Sequence, residues 1–286
     1  MQRLSHDGAF LRRLAHAGAR YGPRFLLKYS PPAFCVLSAL MLPAQRRRVE
    51  ETLRWVHGAK GDEPGQSEVY ATFIEYARCL AEGLAAGRAE AEQATCRVEG
   101  EAFLREALSH ERGVILVTAH TGPWDAAARS LKRACDRDVV VVMREEPDAA
   151  ARELHDRVRT EAGVRVVHVG SHPLDAMPLV RELKRGSIVA FQLDRSPPNS
   201  RELGVSLFGR DASLPEGPFR LAALASAPIL PLFARRRGFF EYDLAVYSPI
   251  ELPRSAEHED LTRAAQAAAT AMEGFIRESP TQWFNF

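Results

Sequence analysis

The chain is poor in cysteine, and its four (Cys35, Cys79, Cys96 and Cys135) include no Cys-x-x-Cys pair. That argues against a zinc site or a disulfide framework and fits a reducing compartment. The apolar run Ala33–Leu42 is too short to span a bilayer, which takes about 20 apolar residues. It also starts late and has no small-residue cleavage site after it, so no signal peptide is expected. Internal repeats and low-complexity runs are lacking. So is any helix-turn-helix, finger or aromatic–basic ribonucleoprotein signature, which speaks against nucleic acid as partner.

What remains is an ordinary globular composition, 46% hydrophobic and 26% charged over 286 residues, enough for one large core with a helical extension. The net charge of +1 hides an asymmetry. Residues 1–48 hold nine Lys/Arg against one acid, Asp7, a local charge of +8. Among those cations lie Phe25-Leu-Leu27 and the 33–42 run. Basic residues flanking short apolar segments suit a helix lying at an anionic headgroup surface. The alternative is a buried core helix with solvated charges beside it. The chain therefore divides into a basic, apolar, membrane-associating segment over 1–48 and a main domain over 49–286.

Gly113-Val-Ile-Leu-Val-Thr-Ala-His120-Thr-Gly-Pro-Trp-Asp125 carries the most chemistry. Val114–Val117 reads as a buried parallel strand. Gly122-Pro123 is turn chemistry, and the spacing predicts a helix from Pro123 to about Arg133, with Asp125 in its first turn. His120 then sits at the carboxyl end of a strand, where open α/β sheets place their sites. An imidazole held there by a carboxylate can act as a general base toward a hydroxyl. The less specific reading is a packed or solvated histidine and a helix-start aspartate.

Around this strand, helical spacing of Val49, Leu53 and Val56, then of Val69, Phe73, Tyr76, Leu80 and Leu84, predicts two amphipathic helices separated by a loop over Gly58–Gln66. Val98–Leu104 suggests a short strand or turn before another helix. Strands are expected over 139–143, 164–169, 187–193, 228–233 and 242–247, with helices over 149–162, 174–184, 217–225 and 261–277. Pro178 sits awkwardly in the second of these helices. Strands alternating with helices give an α/β fold: a mixed, largely parallel central sheet flanked by helices, with an N-terminal helical extension.

Several segments in order resemble the bacterial lipid A biosynthesis acyltransferases, the lauroyl/myristoyl transferase group within the wider His-x-x-x-x-Asp/Glu acyltransferases. Gly113–Asp125 is similar to the family's strand and motif, with Gly122-Pro-Trp-Asp125 where members usually carry Gly-Asn-Trp-Glu. Arg144 resembles the arginine after the second strand. Leu183–Arg195 resembles a strand ending in Asp-Gln, with Arg195 in place of the Gln. Phe208-Gly209, Gly217-Pro-Phe-Arg-Leu-Ala222 and the closing Pro280-Thr-Gln-Trp283 match further landmarks, so the likeness runs from about residue 46 onward.

The resemblance implies an enzyme that moves a fatty acyl group from an acyl carrier protein or coenzyme A thioester to a hydroxyl of a lipid or glycolipid. His120 would be the general base and Asp125 the carboxylate that orients it, with Arg144, Asp194, Arg195 and Trp124 binding substrate. Arg144 or the backbone amides of the 121–124 turn would face the oxyanion. No Ser or Cys nucleophile accompanies His120, so direct transfer is expected, with no metal and no cofactor beyond the thioester co-substrate. The expected place is the cytoplasmic face of the inner membrane, bound peripherally to an anionic surface, or the cytoplasm itself. Two other readings stay open: a glycerolipid or lysophospholipid acyltransferase, for which Pro215-Glu-Gly217 also speaks, and a non-catalytic lipid- or nucleic-acid-binding protein using the basic N-terminal segment. Asp194-Arg195 could equally be a local ion pair, and Arg235-Arg-Arg237 either a phosphate-binding cluster or a solvated loop. His168 and His172 flank a Gly-Ser break rather than sharing a helical face, a weak metal signal.

Overall fold

The computed structural model of the chain describes residues 14–58, 63–85, 87–144, 152, 156–157, 159–160, 163–169, 176–197 and 200–285. Its centre is a seven-stranded sheet of β1 (Thr95–Glu99), β2 (Val114–Thr118), β3 (Val139–Arg144), β4 (Val164–Val169), β5 (Ile188–Gln192), β8 (Ile229–Gly238) and β9 (Glu241–Val246). The strands lie in the order β1-β9-β8-β2-β5-β3-β4. The run β8-β2-β5-β3-β4 is parallel throughout, β9 is antiparallel to β8, and β1 is parallel to β9. The sheet is thus mixed and largely parallel, as the alternation of strands and helices predicts.

Every residue of β2 is buried, because both faces of the sheet are covered. Ile115 and Val117 point into a core shared with Val189, Phe233 and the last helix, α9 (His258–Glu278), whose Ala265, Ala268 and Ala269 bring it close to the sheet. Leu116 points the other way, into a core with Val141, Ala190, Leu230 and the helices α5 (Glu101–Ser109) and α6 (Trp124–Ala134).

Some expectations shift by a turn or more. Pro123 caps α6 rather than opening it, so the helix begins at Trp124; Asp125 still falls in its first turn. Val98 closes β1, and Gly100, in the left-handed region, turns the chain into α5. Pro178 proves harmless because the helix α7 (Met177–Lys184) starts one residue before it, where a proline N–H has no partner to lose. The expected helix over 149–162 lies largely outside the described residues; 152, 156–157 and 159–160 are helical.

One element was not expected. β6 (Glu202–Leu207) and β7 (Arg210–Pro215) form an antiparallel hairpin closed by Phe208 and Gly209, both at positive φ as a two-residue hairpin turn requires. It packs on α9 through Gln266, which accepts from the Ser206 N–H, and Glu273, which accepts from the Phe208 N–H. The helix α8 (Gly217–Ala225) follows it and covers the sheet with Phe219 and Ala222 fully buried.

The N-terminal region is helical, as expected. Helix α1 (Arg24–Met41) packs along α3 (Gln66–Leu84), and α2 (Pro43–Gly58) buries Val49, Leu53 and Val56 and runs across residue 48. A short helix, α4 (Ala89–Glu92), precedes β1. Phe25, Leu26, Tyr29, Leu40 and Met41 of α1 are exposed. Among the described residues, no helix is long and apolar enough to cross a membrane.

Candidate active site

His120 lies two residues past β2, and Asp194 two residues past the neighbouring β5. The two strands are parallel and in register, Thr118 beside Gln192. Continuing that register by one side-chain repeat brings His120 and Asp194 together on one face. Asp194 Oδ1 lies 2.8 Å from His120 Nδ1, and both carboxylate oxygens accept from the His120 backbone N–H at 3.0–3.1 Å. The Trp283 indole N–H donates to Asp194 Oδ2 at 3.0 Å. An ionised carboxylate only accepts, so Nδ1 carries a proton, and whenever the ring is neutral its lone pair sits on Nε2.

The pair is asymmetric in exposure: the Asp194 side chain is 1% exposed and that of His120 24%. Burial pushes the Asp194 carboxyl up, but the His120 charge, the hydrogen bonds from its ring and backbone, and the Trp283 indole outweigh it. The result is a carboxyl below the ordinary aspartate value, ionised and dry. A carboxylate so fixed holds the ring in one tautomer while the far edge stays open to a reactant.

The C-terminal residues fasten this arrangement. The His120 carbonyl accepts from the Phe284 N–H, and the Gly122 N–H donates to the Gln282 carbonyl, both at 2.8 Å. The Gln282 side chain pairs with both backbone groups of Arg236, and the Asn285 carbonyl accepts from Thr52. Trp283 is buried between Trp55 and Phe208. Gly122 has φ +48, and a Cβ there would lie 2.3 Å from the Ala234 carbonyl oxygen, so the turn after His120 requires glycine.

Asp125, expected to orient His120, makes no hydrogen bond to it; that place is taken by Asp194. Its carboxylate accepts from Arg159 Nε at 2.9 Å, and the Arg159 guanidinium stacks over the Trp124 ring at 5.1 Å. The reason is local: the turn at Gly122-Pro123 carries the chain past His120 into α6, where the Asp125 side chain meets Arg159. Arg195, beside Asp194, donates to the Phe284 carbonyl at 2.7 Å. Arg144 closes β3 opposite Val169; its side chain lies outside the described residues.

Two openings are lined by residues of the neighbouring turn and strands, though by neither His120 nor Asp194 itself. A shallow cleft is lined by Tyr76, Leu80, Pro123, Trp124, Asp125, Arg159 and Phe284. A narrow apolar crevice runs between α6 and the sheet, bounded by Leu116, Thr118, Trp124, Leu131, Ala190 and Gln192. Trp124 lines both. Arg159 and Trp283 are the site residues the sequence did not single out by chemistry.

Other candidates are engaged elsewhere. Arg235 is held by Glu99, Asp243 and Glu278, and Arg236 by the buried Glu82, so neither is a solvated loop cation. Arg237, more than half exposed, lies 3.5 Å from Asp243. Glu216 pairs with Arg220 one turn on. His168 lies 2.8 Å from Asp156; His172 is outside the described residues, among which no group of His, Cys, Asp and Glu could hold a metal.

No curated protein matches the chain. The family model of the bacterial lipid A biosynthesis acyltransferases matches residues 30–286, all of the sheet, both openings and the C-terminal fastening. A part-exposed strand-end histidine held by a buried carboxylate is in keeping with that match: the chain belongs to the bacterial lipid A biosynthesis acyltransferase family and is an acyltransferase.

Proposed function

We propose that the protein transfers a fatty acyl group from an acyl carrier protein or coenzyme A thioester to a hydroxyl of a lipid or glycolipid, with His120 as general base. The observation that carries this is the His120–Asp194 pair: Nδ1 tied to a buried, ionised carboxylate, and Nε2 left with its lone pair on a part-exposed ring. In the reaction, Nε2 takes the proton of the acceptor hydroxyl as its oxygen bonds to the thioester carbon. The carbonyl pair moves onto oxygen, then returns as the carbon–sulfur bond breaks, and the sulfur leaves with the proton from Nε2. Ester and free thiol are the products, and no covalent acyl-enzyme forms. Asp194 stabilises the transient imidazolium without taking the proton itself.

The crevice under α6 is the natural seat for the acyl chain, since its lining is apolar. The cleft, with the Asp125–Arg159 pair and Trp124 on its wall, would take the polar parts of donor and acceptor. Arg195 acts through Phe284, as a brace for the strap over His120. The enzyme needs no metal or cofactor for this chemistry beyond the thioester. Exposed Phe25, Leu26, Tyr29 and Met41, with Arg24 and Lys28 on the same helix, suit peripheral attachment to an anionic inner-membrane surface on its cytoplasmic side.

The test is acyl transfer from long-chain acyl carrier protein, or the matching coenzyme A thioester, into total membrane lipid. Wild type and His120→Ala are compared and the product identified by mass spectrometry. Wild type should form an acylated lipid and the variant should not. Equal transfer by both would remove the proposal, and its absence with strong nucleic-acid retention would favour the binding reading.

A further inference from the structure

The crevice beneath α6 holds one polar oddity. Along β2 and β5 the residues facing it form a ladder: Leu116 opposite Ala190, then Thr118 opposite Gln192. One more step along both strands gives His120 and Asp194. The crevice is apolar except for Thr118 and Gln192, which stand two residues before His120 and Asp194 on their strands. There the Gln192 side-chain nitrogen Nε2 is buried and makes no hydrogen bond to any protein group. Buried amide donors nearly always find a partner, and one left open beside a reactive pair is a place where a ligand oxygen fits.

We propose that Gln192 donates to the carbonyl oxygen of the acyl thioester, a catalytic role that rests on the acyl-transfer reading above. An acyl chain lying in the crevice with its carboxyl end toward His120 has its carbonyl at the Thr118–Gln192 layer. As the acceptor oxygen bonds to the carbonyl carbon and the π pair moves onto the carbonyl oxygen, the Nε2–H bond strengthens. It weakens again when the pair returns and the carbon–sulfur bond breaks. The donor is carried by β5 and buried in a mostly apolar crevice, so it needs little solvent reorganisation, the condition under which such a hydrogen bond is strongest. The crevice walls also keep water from competing for that oxygen.

The experiment compares wild type with Gln192→Leu, Gln192→Glu and Gln192→Asn, using the long-chain acyl carrier protein or coenzyme A thioester that the wild-type enzyme turns over. Removing an oxyanion donor should lower kcat about 10²- to 10³-fold while KM for the thioester stays within about threefold. Glutamate has the same shape without the N–H, and should be at least as damaging as leucine. Asparagine, a shorter amide, should recover part of the loss. A purely structural glutamine would give the opposite pattern, with leucine tolerated in apolar surroundings and changes confined to melting temperature. Gln192→Glu decides the matter if the leucine variant does not fold. Wild-type kcat in either variant, or a loss seen only in KM, overturns the assignment while leaving the acyl-transfer reading intact. Undiminished activity of His120→Ala is the separate result that removes that reading.

Discussion

Three donors converge on the two oxygens of Asp194: the His120 ring, the His120 backbone N–H and the Trp283 indole. Asp194→Asn keeps the volume but leaves one oxygen and one NH₂ for those three, so either the ring gives up its Nδ1 proton or one donor faces another donor. If the amide turns its nitrogen toward Nδ1, the ring is driven into the tautomer with its proton on Nε2, where it cannot accept from the substrate. If it turns the other way, the indole N–H faces the amide NH₂, donor against donor. Hydrogen bonds to a charged group contribute about 1.5–3 kcal/mol each, and an unsatisfied buried donor costs about 1–3 kcal/mol, so the variant should be less stable by a few kcal/mol. In a Ser-His-Asp triad the same exchange behind the histidine lowers kcat by about 10⁴ with the geometry intact, and a loss of ~10²–10⁴ is expected here. Steady-state transfer at saturating thioester, with denaturant melts of the same preparations, reads both. Near wild-type kcat in a folded Asp194→Asn protein would refute the claim that this carboxylate sets the tautomer.

Trp283→Phe keeps a ring between Trp55 and Phe208 but removes the indole donor to Asp194. The carboxyl, now below the ordinary aspartate value, should rise toward it. A lowered acid gives stability that is present above its unfolded value and lost as pH falls through its folded value. The variant should therefore be less stable at neutral pH, and its loss on acidification should begin at higher pH, read by denaturant melts between about pH 4 and pH 7. Arg236→Ala leaves Glu82, buried beside Tyr242 and the Phe240 N–H, without its cation; a cost of about 3–5 kcal/mol is expected in the same melts. Burial already holds the Glu82 carboxyl above its ordinary value despite Arg236, so the variant should recover stability as acid protonates it, opposite in sign to Trp283→Phe. Asp125→Ala and Arg159→Ala should lose activity to a similar extent, and the double variant little further, a coupling of about 0.5–3 kcal/mol. Additive losses would mean that Asp125 does not work through Arg159.

The sheet was legible in the sequence because buried parallel strands are continuous apolar runs and the helices between them keep their period. β2 and His120 follow from Val114–Val117 and the Gly122-Pro123 turn alone. The partner of His120 did not follow from spacing. Asp125 is five positions on from His120, but a turn and a helix start intervene, and sequence distance does not fix direction across such a break. Asp194 is 74 residues away, brought in by strand register, a tertiary fact; the resemblance pointed to it as a substrate-binding residue, not as the partner of the histidine. The 202–215 hairpin left a usable signal in the alternation Leu203, Val205, Leu207 ahead of the Phe208-Gly209 turn. The closing Pro280-Thr-Gln-Trp283 was visible as a landmark, yet its hold on His120 and Asp194 is visible only once the chain has folded back.

The most direct test of the central claim is single-turnover transfer from long-chain acyl carrier protein to membrane lipid by His120→Ala, with a melt to show that the variant is folded. A folded protein that forms no acylated lipid is the predicted result. Transfer at the wild-type rate would contradict the role given to the imidazole at the end of β2.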